Sequence, residues 1–106
     1  MPKYLAHASY TVEGLKGLLK DGGTKRREAV EQLAKGVGGK MEAFYYAFGD
    51  DDLFVIFDFP NNVSATAVSL IVNASGAVKA KVTVLLTPEE VDQATKKSLD
   101  YLPPGQ

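Results

Sequence analysis

The chain is 106 residues long, 45% apolar and 24% charged, with 12 Lys and Arg against 13 Asp and Glu and a formal net charge of -1. This composition suits one small globular core and lacks the basic excess of a phosphate-tracking protein, so nucleic acid is not an expected partner. The absence of cysteine and the presence of one His exclude thiol nucleophiles, disulfides and cysteine metal centres, and no metal or cofactor is expected.

Tyr4 to Tyr10 reads as a strand, with Tyr4, Ala6, Ala8 and Tyr10 on one parity. Thr11 is a suitable N-cap for a short helix through Leu19, in which Leu15, Leu18 and Leu19 share a face, and Gly22-Gly23 ends it. Thr24 opens a second helical segment with the stripe Ala29, Val30, Leu33 and Val37, stopped by Gly38-Gly39. Met41 to Phe48 and Leu53 to Phe59 are strand-like, and Gly49-Asp50-Asp51-Asp52 between them is turn chemistry, so the pair predicts a β-hairpin. Pro60-Asn61-Asn62 offers an Asn cap to a helix over Val63 to Ser75. Val78 to Leu85 alternates with period two, the clearest half-buried strand. Thr87-Pro88-Glu89-Glu90 has the spacing of a capping box with Pro at the first helical position. The prolines of residues 101–106 predict an extended C-terminal arm.

No apolar run approaches the roughly 20 residues of a membrane span. Met1-Pro2-Lys3-Tyr4 leads into a strand rather than a secretory signal, so a cytoplasmic location is expected. The element order β-α-β-β-α-β plus a C-terminal helix predicts a single α+β domain over 1–106. Its type is ferredoxin-like, an antiparallel sheet in the order 4-1-3-2 with the crossover helices on one face. The other face is left uncovered. Parity assigns to it Lys3, Leu5, His7 and Ser9 from the first strand, Phe54, Ile56 and Asp58 from the third, and Lys79, Lys81, Thr83 and Leu85 from the fourth. The second strand is ambiguous: either Tyr45 faces this side, or Phe44, Tyr46 and Phe48 do. Burying a few hundred Å² of such a face is worth roughly 5–10 kcal/mol gross, at about 25 cal/mol per Å². The expected partner is therefore a second copy packed sheet on sheet as a homodimer, or a higher even-numbered assembly.

The chain resembles the GYD domain family, small bacterial proteins grouped with the dimeric α/β barrels. The likeness is carried by Tyr4-Leu5, Tyr10-Thr11-Val12-Glu13-Gly14, Lys25-Arg26-Arg27-Glu28, Gly38-Gly39-Lys40, Ala47-Phe48-Gly49-Asp50-Asp51-Asp52, Asp58-Phe59-Pro60 and Leu85-Leu86-Thr87-Pro88-Glu89-Glu90. Asp51 stands where the family usually has Tyr. The resemblance implies a ferredoxin-like protomer pairing into a barrel. It brings no catalytic residue, since the family has no established activity. Related dimeric barrels include cofactor-free monooxygenases, haem-degrading enzymes and ligand-sensing domains.

His7 is the one side chain that titrates near neutrality, and Asp58 on the neighbouring strand is the expected partner that orients its ring, a candidate acid-base pair. Against this stands an interface histidine without chemistry. Tyr45 and Tyr46 alternate faces, so one enters the cleft between sheets, where its hydroxyl can orient a ligand, while the other packs under the helices. Lys81 and Thr83 are candidate ligand-binding residues on the fourth strand. Lys25, Arg26 and Arg27 follow two glycines and a hydroxyl at a helix start; Arg26 and Arg27 are candidates for an anion, or for carboxylates of a partner protomer. Asp50 to Asp52 lacks the spacing of a calcium loop and reads as an acidic hairpin tip. The leading expectation is a homodimeric barrel module holding a small, partly apolar ligand in the sheet-lined cleft. The alternative is a cofactor-free monooxygenase or isomerase-like enzyme acting on an aromatic or quinol-type substrate through His7 and Asp58; a third is a fully packed assembly protein.

Overall fold

A computed structural model gives the structure of residues 1–106. The elements run β1 (Lys3–Tyr10), α1 (Val12–Asp21), α2 (Gly23–Gly36), β2 (Lys40–Tyr46), β3 (Leu53–Asp58), α3 (Asn62–Ala74), β4 (Val78–Leu85) and α4 (Pro88–Thr95). The strands form one antiparallel sheet in the order β2-β3-β1-β4. This is the predicted 4-1-3-2 order read from the other edge.

The first crossover is two helices, because Gly22 sits at φ 83°, where a side chain is disfavoured, and its N–H closes α1 by donating to the Leu18 carbonyl. Thr11 secures the start of α1. Its hydroxyl accepts from the Gly14 N–H, while its own N–H donates to the Ala77 carbonyl at 3.0 Å, tying the helix to the chain entering β4. Gly14 is buried there because the Ala77 backbone and the Tyr10 ring occupy the space a Cβ needs.

The core lies between the sheet and the helices. β1 and β3 contribute Tyr4, Ala6, Ala8, Leu53, Val55 and Phe57, which meet Ala34 of α2 and Ala65 and Val68 of α3. Tyr4 and Phe59 are the largest fully buried side chains. Their ring centroids are 5.5 Å apart, and the Tyr4 hydroxyl donates to Asn62 Oδ1, so its polar end is satisfied.

β2 departs from the expected strand in two ways. Met41 opposes Phe57 and Ala43 opposes Ile56, so Glu42 is the extra residue of a bulge. The bulge turns Phe44 and Tyr46 to the helix side and leaves Ala43 and Tyr45 on the open face, which settles the ambiguous parity. The strand also stops before Phe48, which is fully exposed, because Ala47 N–H donates to the Asp52 carbonyl and closes the hairpin.

The C-terminal part stands away from this body. α4 has the predicted capping box between Thr87 and Glu90, yet every residue from Pro88 to Gln106 is exposed and 96–106 hold no helix or strand. The radius of gyration is 17.0 Å, against about 13 Å for a compact chain of this length.

Candidate functional site

Strand register sets the open face in rows. Tyr45, Phe54, His7 and Lys81 lie side by side across the four strands, and Ala43, Ile56, Leu5 and Thr83 form the next row. Lys81 and Thr83 are exposed on this face, as their parity required. Tyr45 and Phe54 are its exposed aromatics, while Leu5, Ile56 and Leu85 are half-buried by their neighbours.

The expected His7–Asp58 pair does not form. Asp58 opposes Lys3, four residues from His7, a separation of about 13 Å along the strand. Asp58 is buried, its side chain 7% exposed, and its carboxylate accepts from Lys3 Nζ at 2.9 Å, with Lys40 Nζ at 3.9 Å. Lys3 also bonds Glu42 at 2.6 Å. The Glu42 and Asp58 carboxylates hold the Lys3 ammonium above its ordinary range. Asp58 is thus the centre of a structural charge cluster at one end of the sheet.

His7 is oriented instead by Asp51. Its Nδ1 lies 3.2 Å from Asp51 Oδ2, and the ring stacks on Phe54 with centroids 6.4 Å apart. A carboxylate only accepts, so Nδ1 carries the proton and Nε2 is the free position. The hairpin tip folds back over the end of β1: Ser9 donates to the Asp50 carbonyl and the Tyr10 N–H to Asp52 Oδ2 at 2.8 Å. The acidic turn is a clasp, which sequence reasoning missed. Its signal was the polar parity of Ser9 and His7 beside a turn rich in acceptors.

A cavity open on one side to solvent lies on the other face of the sheet. About 380 Å³ lies between α1 and α2 on one side and α3 on the other, above a floor of Ala6, Ala8, Val55 and Ala80. The volume exists because the floor is small: Ala8 opposes Ala80 across β1 and β4, and Gly17 of α1 has nothing within 4 Å of where a Cβ would be. Two alanines at alternate positions of a core strand were the sequence signal for it. Lining groups are predominantly apolar, with Tyr10, Glu13, Asp21 and Arg26 on the α1 and α2 side.

Of the other expected residues, Tyr46 is on the helix side but remains exposed at the sheet edge, where its hydroxyl donates to the Gly23 carbonyl at 3.0 Å and its ring meets Phe44 edge-on. It holds the start of α2 against β2. Arg26 lines the cavity and Arg27 is exposed away from it, so the two arginines do not converge; successive helical residues diverge by about 100°. Tyr10, not singled out from the sequence, is half-buried beside Arg26. Burial, and then the Tyr46 hydroxyl, push its phenol up to about 12, with Arg26 acting in the opposite direction. No three His, Asp or Glu side chains converge as a metal site, and no helix is long and apolar enough to cross a membrane.

No curated protein and no solved structure matches the chain. A family model, the GYD domain, matches residues 4–95, which takes in all four helices and all of the sheet but Lys3, and the chain belongs to the GYD domain family.

Proposed function

We propose that the protein works as a homodimeric α/β-barrel binding module, in which two copies pack open sheet face on open sheet face and each holds a small, partly apolar molecule in the cavity beneath its helices. The cavity carries this reading. Its 380 Å³ falls in the range of about 300–1,000 Å³ that small-molecule sites occupy, and its apolar walls with few polar groups at one side have the usual composition of such sites. The ligand accordingly belongs under the helices rather than between the sheets.

The dimer is supported by what the single chain leaves uncovered. Only 12 of 106 residues are buried, while Tyr45 and Phe54 stand exposed side by side on the open face. An eight-residue helix such as α4 is marginal in water by itself, and Leu99, Tyr101 and Leu102 beyond it are exposed. A second copy supplies both covers.

Sedimentation at micromolar concentration tests the dimer: two copies are expected, and Phe54→Lys is expected to shift the protein to one. A wild-type monomer overturns it. Thermal-shift screening of small aromatic and carboxylate compounds tests the cavity. A stabiliser at 100 times its Kd raises stability by about 2.7 kcal/mol, and this gain is expected to vanish in Ala8→Leu, which fills the floor.

A second reading, a cofactor-free monooxygenase or isomerase acting on an aromatic or quinol-type substrate, is supported by the half-exposed His7 held by Asp51 and stacked on Phe54. It requires the substrate between the two sheets, because His7 and the cavity are on opposite faces. Turnover by the wild type that disappears in His7→Ala, with binding retained, identifies this chemistry; a wild type without turnover removes it.

A further inference from the structure

We propose that the cavity takes an amphipathic carboxylate, its acid group held by Arg26 and the Tyr10 hydroxyl and its apolar body laid along the alanine floor of the sheet. This rests on the cavity being the ligand site and adds the chemical class of the ligand.

The polar side chains around the cavity divide into those paired within the chain and Arg26, which meets the Tyr10 hydroxyl and has no carboxylate partner. Glu13 pairs with Lys16 at 3.7 Å and Asp21 with Lys25 at 3.6 Å. On α3, Ser75 donates to the Val72 carbonyl and accepts from the Ala77 N–H, and Ser69 Oγ accepts from Asn73. Arg26 is half-buried in the same wall, and no carboxylate lies within 4 Å of it. A guanidinium partly withdrawn from water is costly to leave without a counter-charge, and its planar fork matches a carboxylate bidentately.

Of the three charged groups that line the cavity, Glu13 and Asp21 each have a lysine partner outside it and Arg26 has no counter-charge. Tyr10 stands beside it, its hydroxyl shared between the Arg26 and Tyr46 side chains, and a phenol is protonated across the neutral range, so it can turn its proton to a bound carboxylate. Away from these two groups the cavity offers Ala6, Ala8, Val55, Val68 and Val72, which can bind only an apolar body. An acid head and a hydrocarbon or aryl tail meet both ends, whereas a neutral hydrocarbon leaves Arg26 unpaired and a small hydrophilic anion leaves the floor wet.

The test is calorimetric titration of the full chain with two probe series, straight-chain carboxylates from butanoate to dodecanoate and a set of arylalkanoates, each beside its primary amide. Acids are expected to bind about tenfold to a hundredfold more tightly than their amides. Arg26→Met is expected to abolish that preference, bringing acid binding down to that of the amide, and Arg26→Lys to retain part of it. Which series binds more tightly tells aliphatic from aryl acids. Equal binding of acids and amides by the wild type, or an undiminished acid preference in Arg26→Met, overturns the carboxylate assignment. Failure of every probe to bind, or binding that survives both Ala8→Leu and Gly17→Leu, overturns instead the cavity as the ligand site; folding of the variants is checked by circular dichroism.

Discussion

Gly14 and Gly17 occupy the same helix three residues apart, and Gly→Ala should have opposite effects at the two. In an exposed helix interior the change gains about 1 kcal/mol of intrinsic helix preference. Gly17 has nothing within 4 Å of an added Cβ, so Gly17→Ala is expected to keep most of that gain, about 0.5–1 kcal/mol. At Gly14 the added carbon would lie 2.9 Å from both the Ala77 carbonyl carbon and the Tyr10 ring, and closer still to the Ala77 oxygen. Forced overpacking costs about 1–3 kcal/mol, and an obstacle made of backbone places this case at the top of the range. Moving Ala77 also loosens the Thr11 N–H bond at 3.0 Å, worth about 1 kcal/mol. After subtracting the helix gain, Gly14→Ala is expected to destabilise the fold by roughly 2–3 kcal/mol. At about 4–8 °C per kcal/mol, thermal unfolding at fixed protein concentration should separate the two variants by more than 10 °C. Equal or raised midpoints in both would refute the account, since they would mean that α1 and the chain entering β4 are not clamped together at Thr11.

Asp51 and Asp58 can be told apart by His7. Asp51→Asn is expected to displace the His7 ring resonances in NMR spectra. Asp58→Asn should leave them in place while costing about 1.5–3 kcal/mol in urea unfolding, the usual worth of hydrogen bonds to a charged group; the reverse pattern would restore the His7–Asp58 pair. Phenol ionisation followed by ultraviolet absorbance should find one of the five tyrosines titrating last, at about 12, and Tyr10→Phe should remove it. An unfolded Tyr ionises at about 10, so between these values the unfolded state binds fewer protons than the native one. Tyr10 stability is therefore intact below pH 10 and falls as pH rises to about 12, a loss absent from Tyr10→Phe. Deleting residues 96–106 should leave the folded body intact by circular dichroism but weaken self-association at least tenfold by sedimentation; unchanged association would mean that the arm meets nothing on the second copy.

Most of the architecture was legible in the chain itself, because the signals that specify it are local. Thr11 and Thr87 mark helix starts through their own side chains, Gly22 and the Asp-rich turn interrupt elements through backbone geometry, and period two along Val78 to Leu85 declares a strand with one wet face. Element order then limits a right-handed crossover sheet to very few arrangements. Which face each side chain of β2 presents was not legible, because the bulge at Glu42 reverses parity without any residue type that demands it. The partners of the charged groups were decided by register. Asp58 and His7 sit on adjacent strands, yet four positions of offset place Lys3 against Asp58 and Phe54 against His7, and only the folded hairpin brings Asp51 within reach of the ring. The alternate alanines of β1 are the one trace of the cavity in the sequence, and its shape belongs to the tertiary structure. Ala6, Ala8, Ala80 and Gly17 are unremarkable one by one, and become a hollow beside Arg26 only when two helices and a sheet bring their smallest side chains to the same place.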